Sequence, residues 1–222
     1  MDFRPFGITI RVAIFATVIT FFLGLLAASY VYKMKRGKGI VDAFFTLPMI
    51  LPPTVAGFFL LLAFGRNGFI GGFLHSMGIP VVFTWWGAVI ASIFVSFPLM
   101  YRTARGAFEQ IDQNVIYAAE TLGFSKLKIF WMIKVPMAKA GILAGTVLAF
   151  ARALGEFGAT IMLAGNIPGR TQTMAIAVFS AVSAGNRQLA YIWVAILSAM
   201  SFAMIILMNR WDSSFKRRKK RG

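Results

Sequence analysis

Five stretches of this chain are apolar over a length that reaches across a lipid bilayer, and no other feature constrains the fold as much. About 20 helical residues cross the hydrocarbon core. The runs are 8–32, 40–64, 83–101, 140–163 and 189–208. In a chain of 222 residues, 59% hydrophobic and 14% charged, they leave no room for a large soluble domain. A water-soluble globule of this size would expose extensive apolar patches. The sequence therefore predicts an all-α, polytopic membrane protein with about five transmembrane helices, the whole of 1–222 forming one transmembrane domain.

Charge placement predicts the orientation. The formal charge is +16. With five spans, the segments 33–39, 101–139 and 209–222 share one side and hold 17 of the 23 Lys and Arg residues. Basic residues accumulate in cytoplasmic loops, so the N-terminus is expected outside and the C-terminus inside. The short run 171–184 is then a re-entrant or surface helix; a sixth span would send the basic tail outward. The first run is longer than a secretory signal's apolar region, and its stronger positive flank follows it, so it reads as a retained helix. The tail Lys216–Arg221 suits anchoring to anionic lipid, or a specific partner. The basic residues sit between apolar runs and form no groove-reading helix, so nucleic-acid binding is not expected. The chain has no Cys and one His, His75, in the outer loop 65–82, so disulfides and thiol or His-rich metal sites are not expected. Trp85, Trp86 and Trp193 fall near predicted interfaces, as an aromatic belt would.

The connection 102–139 is predicted to face the cytoplasm and to contain two short helices. One is drawn from 107–123, with Phe108, Ile111, Val115, Ala118, Ala119 and Leu122 at helical spacing and Gly123 as its C-terminal stop. The second covers 126–135 and is ended by Pro136.

Within this loop Ala118, Ala119, Gly123, Ile133 and Pro136 stand at the spacing E-A-A, three residues, G, nine residues, I-x-L-P. Tyr117 replaces the Glu and Val135 the Leu. The pattern resembles the cytoplasmic loop of ABC-transporter permeases. The resemblance implies that the helix Asp112–Gly123 docks into an ATP-hydrolysing partner. Asp112, Tyr117, Ala118, Ala119, Glu120, Leu122 and Gly123 would form that coupling surface, with Tyr117 and Leu122 as knobs and Gly123 turning where a side chain would clash. The chain itself has no G-x-x-x-x-G-K-[ST] loop, so ATP and Mg are expected on the partner, and the chain itself is not expected to be an enzyme or to bind a cofactor.

Three further stretches carry a resemblance to the molybdate-type permease over nearly the whole chain: 47–57 (Leu-Pro-Met-Ile-Leu-Pro-Pro-Thr-Val-Ala-Gly), 65–71 (Gly-Arg-Asn-Gly-Phe-Ile-Gly), and 149–160 (Ala-Phe-Ala-Arg-Ala-Leu-Gly-Glu-Phe-Gly-Ala-Thr) continuing through 166–173. Sulfate permeases share the Gly-Glu-Phe-Gly core. The resemblance implies a type I ABC importer fold in the cell membrane. It also implies a second copy of the chain, two ATP-binding cassette subunits and an extracytoplasmic oxyanion-binding protein that selects the cargo. The alternatives in cargo are sulfate, thiosulfate and tungstate. A passive channel would leave the 112–123 helix without a purpose, and an intramembrane enzyme would have only Arg152 and Glu156 as a charged pair, with no His or Cys in the spans.

Intramembrane charges are functional candidates by default. Arg152 and Glu156 are four residues apart and can pair on one helix face. Either the pair is structural, or Arg152 lowers the barrier to a dianion while Glu156 keeps it from trapping the cargo. Thr160, a turn further on, can offer a hydroxyl. Pro48, Pro52 and Pro53 kink the second run, either to shape a path that Thr54 lines or only to fit packing. Gly141 and Gly145 permit close helix contact, within one chain or between copies.

Overall fold

A computed structural model describes the backbone of residues 2–219 and the side chains of 2–206. The basic tail Lys216–Arg221, assigned above to lipid anchoring, lies outside the described side chains. The described chain is helical, without strands: α1 (Arg4–Lys33), α2 (Lys38–Ile50), α3 (Pro53–Phe64), α4 (Phe69–Ser76), α5 (Trp85–Glu109), α6 (Gln113–Thr121), α7 (Lys126–Ile129), a π-helical turn (Phe130–Lys134), α8 (Val135–Met137), α9 (Lys139–Leu154), α10 (Gly158–Ala164), α11 (Met174–Ser183) and α12 (Arg187–Lys219). By length and composition α1, α5 and the 187–206 part of α12 can each cross a membrane.

The core is α5 flanked by α1 and α9. Small residues make this possible. On α1, Ala13, Ala16, Thr20, Gly24, Ala28 and Val31 form a buried stripe. A methyl group on Gly24 would come within 2.7 Å of Met100 Cγ. Thr20 and Ser96 share a hydrogen bond of 3.1 Å across the same seam. On α9, added methyl groups on Gly141 and Gly145 would meet Ala107 Cβ at 2.5 Å and Thr103 Cβ at 3.1 Å. The Gly141/Gly145 pair thus packs α9 onto α5 within one chain.

Three expected runs differ in their limits. The third starts at Trp85, because Thr84 caps the helix by accepting the Gly87 N–H at 3.3 Å. It continues through Pro98 to Glu109, eight residues past the expected limit at 101. The loop expected over 102–139 therefore begins near Gln110. The second run is two helices, about 20 and 18 Å long, meeting at 113° across Leu51–Pro52. Neither spans 30 Å of hydrocarbon alone. Pro52 and Pro53 offer no N–H to continue the ladder, so the turn is sharper than a kink. The fourth run is α9 and α10, parted by Gly155–Phe157. Trp193 is 2% exposed and packs on Met174 and Ala177 of α11; it is a core residue and not part of a belt.

The expected helix over 107–123 is also divided. Its periodicity continues, but Asp112 accepts the Asn114 N–H at 2.9 Å and starts a new helix. Pro136 does not end the next segment. The chain passes it by a π-helical turn over Phe130–Lys134, which accommodates the missing donor, and runs to Met137. The 171–184 run forms the short helix α11, whose Met174 N–H donates to Thr9 Oγ1 of α1 at 2.8 Å.

Candidate translocation and coupling site

Two of the motif stretches, remote in sequence, fold against each other. The segment Pro52–Gly57 opens α3 and Gly155–Thr160 opens α10. A methyl group on Gly57 would lie 2.8 Å from Ala159 Cα, and one on Gly158 would lie 2.7 Å from Pro53 Cβ and 3.2 Å from Thr54 N. Only glycine allows this approach. The chain breaks of the second and fourth runs are thereby brought together beside α5, where Leu60, Ala91, Val95, Ala159 and Leu163 form one buried cluster. Irregular backbone inside a membrane is tolerated where protein or a cavity surrounds it.

The α9–α10 break holds the intramembrane charges. Arg152 Nη1 lies 2.6 Å from Glu156 Oε2. The other carboxylate oxygen accepts the Ala159 N–H at 2.7 Å. Glu156 therefore joins α9 to the first turn of α10, where a negative charge also suits the helix end. The Arg152 side chain is 32% exposed, while Glu156 is buried. Thr160 does not continue their face: the break at Gly155–Phe157 rotates it away, and its Oγ1 is buried without a hydrogen-bond partner. Thr54 is exposed at the start of α3. The structure thus gathers Thr54, Arg152 and Glu156 around the paired breaks and leaves Thr160 inside the packing.

The candidate coupling helix is built at both ends. Asp112 caps its start. At its close the Gly123 N–H donates to the Glu120 carbonyl (3.0 Å) and the Phe124 N–H to the Ala119 carbonyl (3.1 Å), the paired bonds of a Schellman motif. Gly123 has φ +77°. A methyl group there would meet nothing within 4 Å, so the need for glycine comes from the backbone angle and not from the clash expected from sequence. Ile116 and Ala119 anchor the inner face in the cluster that includes Tyr101, Phe108, Ile129, Phe130 and Ile142. Ala118 and Glu120 face outward, with Tyr117 60% and Leu122 75% exposed.

One polar network was missed from sequence. Asp42 of α2 accepts from Tyr101 Oη at 3.0 Å and pairs with Arg105. Arg105 Nε lies 3.4 Å from Glu109 Oε1, which Lys38 Nζ approaches at 2.6 Å. The network pins α2 to the end of α5 and makes α5 longer than its hydropathy suggests. Its signal was present: Asp42 is an acid inside an apolar run, and Arg105 and Glu109 are four apart.

Comparison with known proteins fits this geometry. The family described as "Binding-protein-dependent transport system inner membrane component" matches residues 20–221. The putative molybdenum transport system permease protein YvgM of Bacillus subtilis is 44% identical over 210 residues, 94% of this chain and 92% of that protein. The molybdenum transport system permease protein ModB of Escherichia coli is 41% identical over 184 residues, 82% of this chain and 80% of that protein. The sulfate transport system permease protein CysT of Salmonella typhimurium is 33% identical over 214 residues, 96% and 77% of the two chains. Among solved structures, an inward-facing MetNI methionine ABC transporter chain superposes with a TM-score of 0.70 at 15% identity, covering 96% of this chain and 93% of that one. A bacterial ABC transporter that imports alginate gives 0.74 at 13% identity, covering 95% and 78%. These two establish the fold.

Proposed function

Because the chain belongs to the family of binding-protein-dependent transport system inner membrane components, we propose that it is the membrane-spanning permease of an ATP-driven importer whose cargo is molybdate. The observation that carries the cargo is the 44% and 41% identity to molybdenum permeases over most of the chain. CysT, at 33%, keeps sulfate as a second reading.

The geometry supplies a mechanism. ATP and Mg bind a partner subunit, two copies per transporter, and its movement is received by α6. Tyr117 and Leu122 project as knobs for a groove on that partner. Ile116 and Ala119 carry the push into the buried cluster shared by α1, α5, the π turn and α9. Helices packed this tightly move as bodies. A second copy of the chain completes the path, and α12 supports that reading: its apolar part, 187–206, is almost wholly uncovered within the chain. The other uncovered helix faces meet lipid. The basic end, with Lys33–Lys38 and Arg105, faces the cytoplasm of a cell whose inner or plasma membrane holds the protein. An extracytoplasmic binding protein delivers the anion at the opposite end, beside α4 and α11. Arg152 eases the dianion past the paired breaks. Its salt bridge to Glu156 keeps the site from holding the cargo tightly.

Uptake of labelled molybdate into proteoliposomes containing the chain, its ATPase and its binding protein tests this. Molybdate and tungstate should compete and sulfate should compete poorly. Uptake of sulfate in preference to molybdate, or uptake without ATP, would overturn the proposal.

A further inference from the structure

A cavity of about 570 Å³ opens at the basic end between the last turn of α1, α6, α7 and the π turn. It lies apart from Arg152 and Glu156, and Ile116, Tyr117 and Glu120 of the coupling helix form one wall of it. Four ammonium groups line it, from Lys33, Lys35, Lys126 and Lys134, against one carboxylate, Glu120. Among the described residues none of the four is in an ion pair with a carboxylate.

Lys134 is the informative one. It is only 6% exposed. Its Nζ sits 4.7 Å from the centre of the Tyr32 ring, a contact that orients a cation without neutralising it. The Tyr32 hydroxyl is itself held by Gln113. Burial lowers the Lys134 ammonium from the usual lysine range, Lys33 acts in the same direction, and Glu120 opposes them. A buried cation facing further cations, in an open cavity, is a group without its counter-charge. Basic pockets where helices meet the membrane surface take anionic head groups. Tyr32, at the end of an apolar helix, marks that surface.

We propose that this cavity binds the phosphate group of an anionic ligand, the source being the head group of an anionic phospholipid. The bound phosphate faces Lys134 from inside, with Lys33, Lys35 and Lys126 closing around it. Lipid binding would brace α6 against α1 and stiffen the coupling element. The inference stands on the cavity alone and holds whichever anion is transported.

The test is native mass spectrometry of the purified full chain titrated with phosphatidylglycerol or phosphatidylcholine, with thermal unfolding in parallel. Phosphatidylglycerol should be retained about fivefold over phosphatidylcholine, and Lys134→Gln should remove the preference. The variant Lys33→Gln/Lys35→Gln/Lys126→Gln alters only exposed side chains and should weaken retention even if Lys134→Gln does not fold. Equal retention of the two lipids, or wild-type retention by the triple variant, would overturn the proposal. Inorganic phosphate protecting the chain from unfolding as well as phosphatidylglycerol does would overturn the lipid as the source.

Discussion

Glu156 serves two partners with two oxygens, and substitutions separate those duties. Glu156→Gln keeps an acceptor for the Ala159 N–H and removes only the charge beside Arg152. Glu156→Ala removes both and leaves a half-buried cation without its partner. The alanine variant should lose about 2–3 kcal/mol in chemical unfolding, and the glutamine variant clearly less. At the basic end, Asp42→Asn should cost about 1 kcal/mol, because its pairing with Arg105 is partly solvated. A double-mutant cycle with Arg105→Gln would read that coupling. The two pairs differed in legibility. Arg152 and Glu156 stand in a predicted span at a spacing that pairs on a helix. Asp42 and Arg105 are 63 residues apart, and no local pattern joins them. The fate of Thr160 was also beyond sequence, since a helical face can be extrapolated only while the helix continues.

Elements were legible where one physical rule dominated. Hydropathy located the apolar runs, and Gly123 marked the end of α6; its start at Asp112 was hidden, because the helical periodicity runs on unbroken from 107. Angles were not legible. Prolines announced a break in the second run, but a missing N–H says nothing about which way the next helix turns. That direction is set by Gly57 and Gly158, which let α3 lie on α10. The end of α5 was misplaced because Arg102, Arg105 and Glu109 look like loop residues until Asp42 and Lys38 are seen beside them. Trp193 looked interfacial because sequence does not show that α11 folds over it. Gly57→Ala should therefore destabilise by about 1–3 kcal/mol, since its methyl would meet Ala159 Cα and Met162 Cβ, both at 2.8 Å. Gly106→Ala has open space and an ordinary helical angle and should be neutral or slightly stabilising. Gly123→Ala should cost about 1 kcal/mol through its backbone angle alone. Thermal unfolding of the three variants would rank these causes.

The whole molecule reads as a lever arm joined to a packed core. α6 projects from the basic end and presents Tyr117 and Leu122, while its inner face is continuous with the cluster that α1, α5 and α9 share. α3 and α10 hold the paired breaks further along. A partner that pushes on α6 would move the core as a body, and the breaks would follow. Because Tyr117 and Leu122 are exposed, changing them should leave folding intact, which makes the lever separable from the scaffold. The most direct measurement is ATP-driven molybdate uptake by proteoliposomes carrying Tyr117→Ala/Leu122→Ala beside the wild type, with unfolding temperatures recorded for both. The account predicts that uptake falls about tenfold or more while the unfolding temperature stays the same. Undiminished uptake by the folded double variant would contradict it.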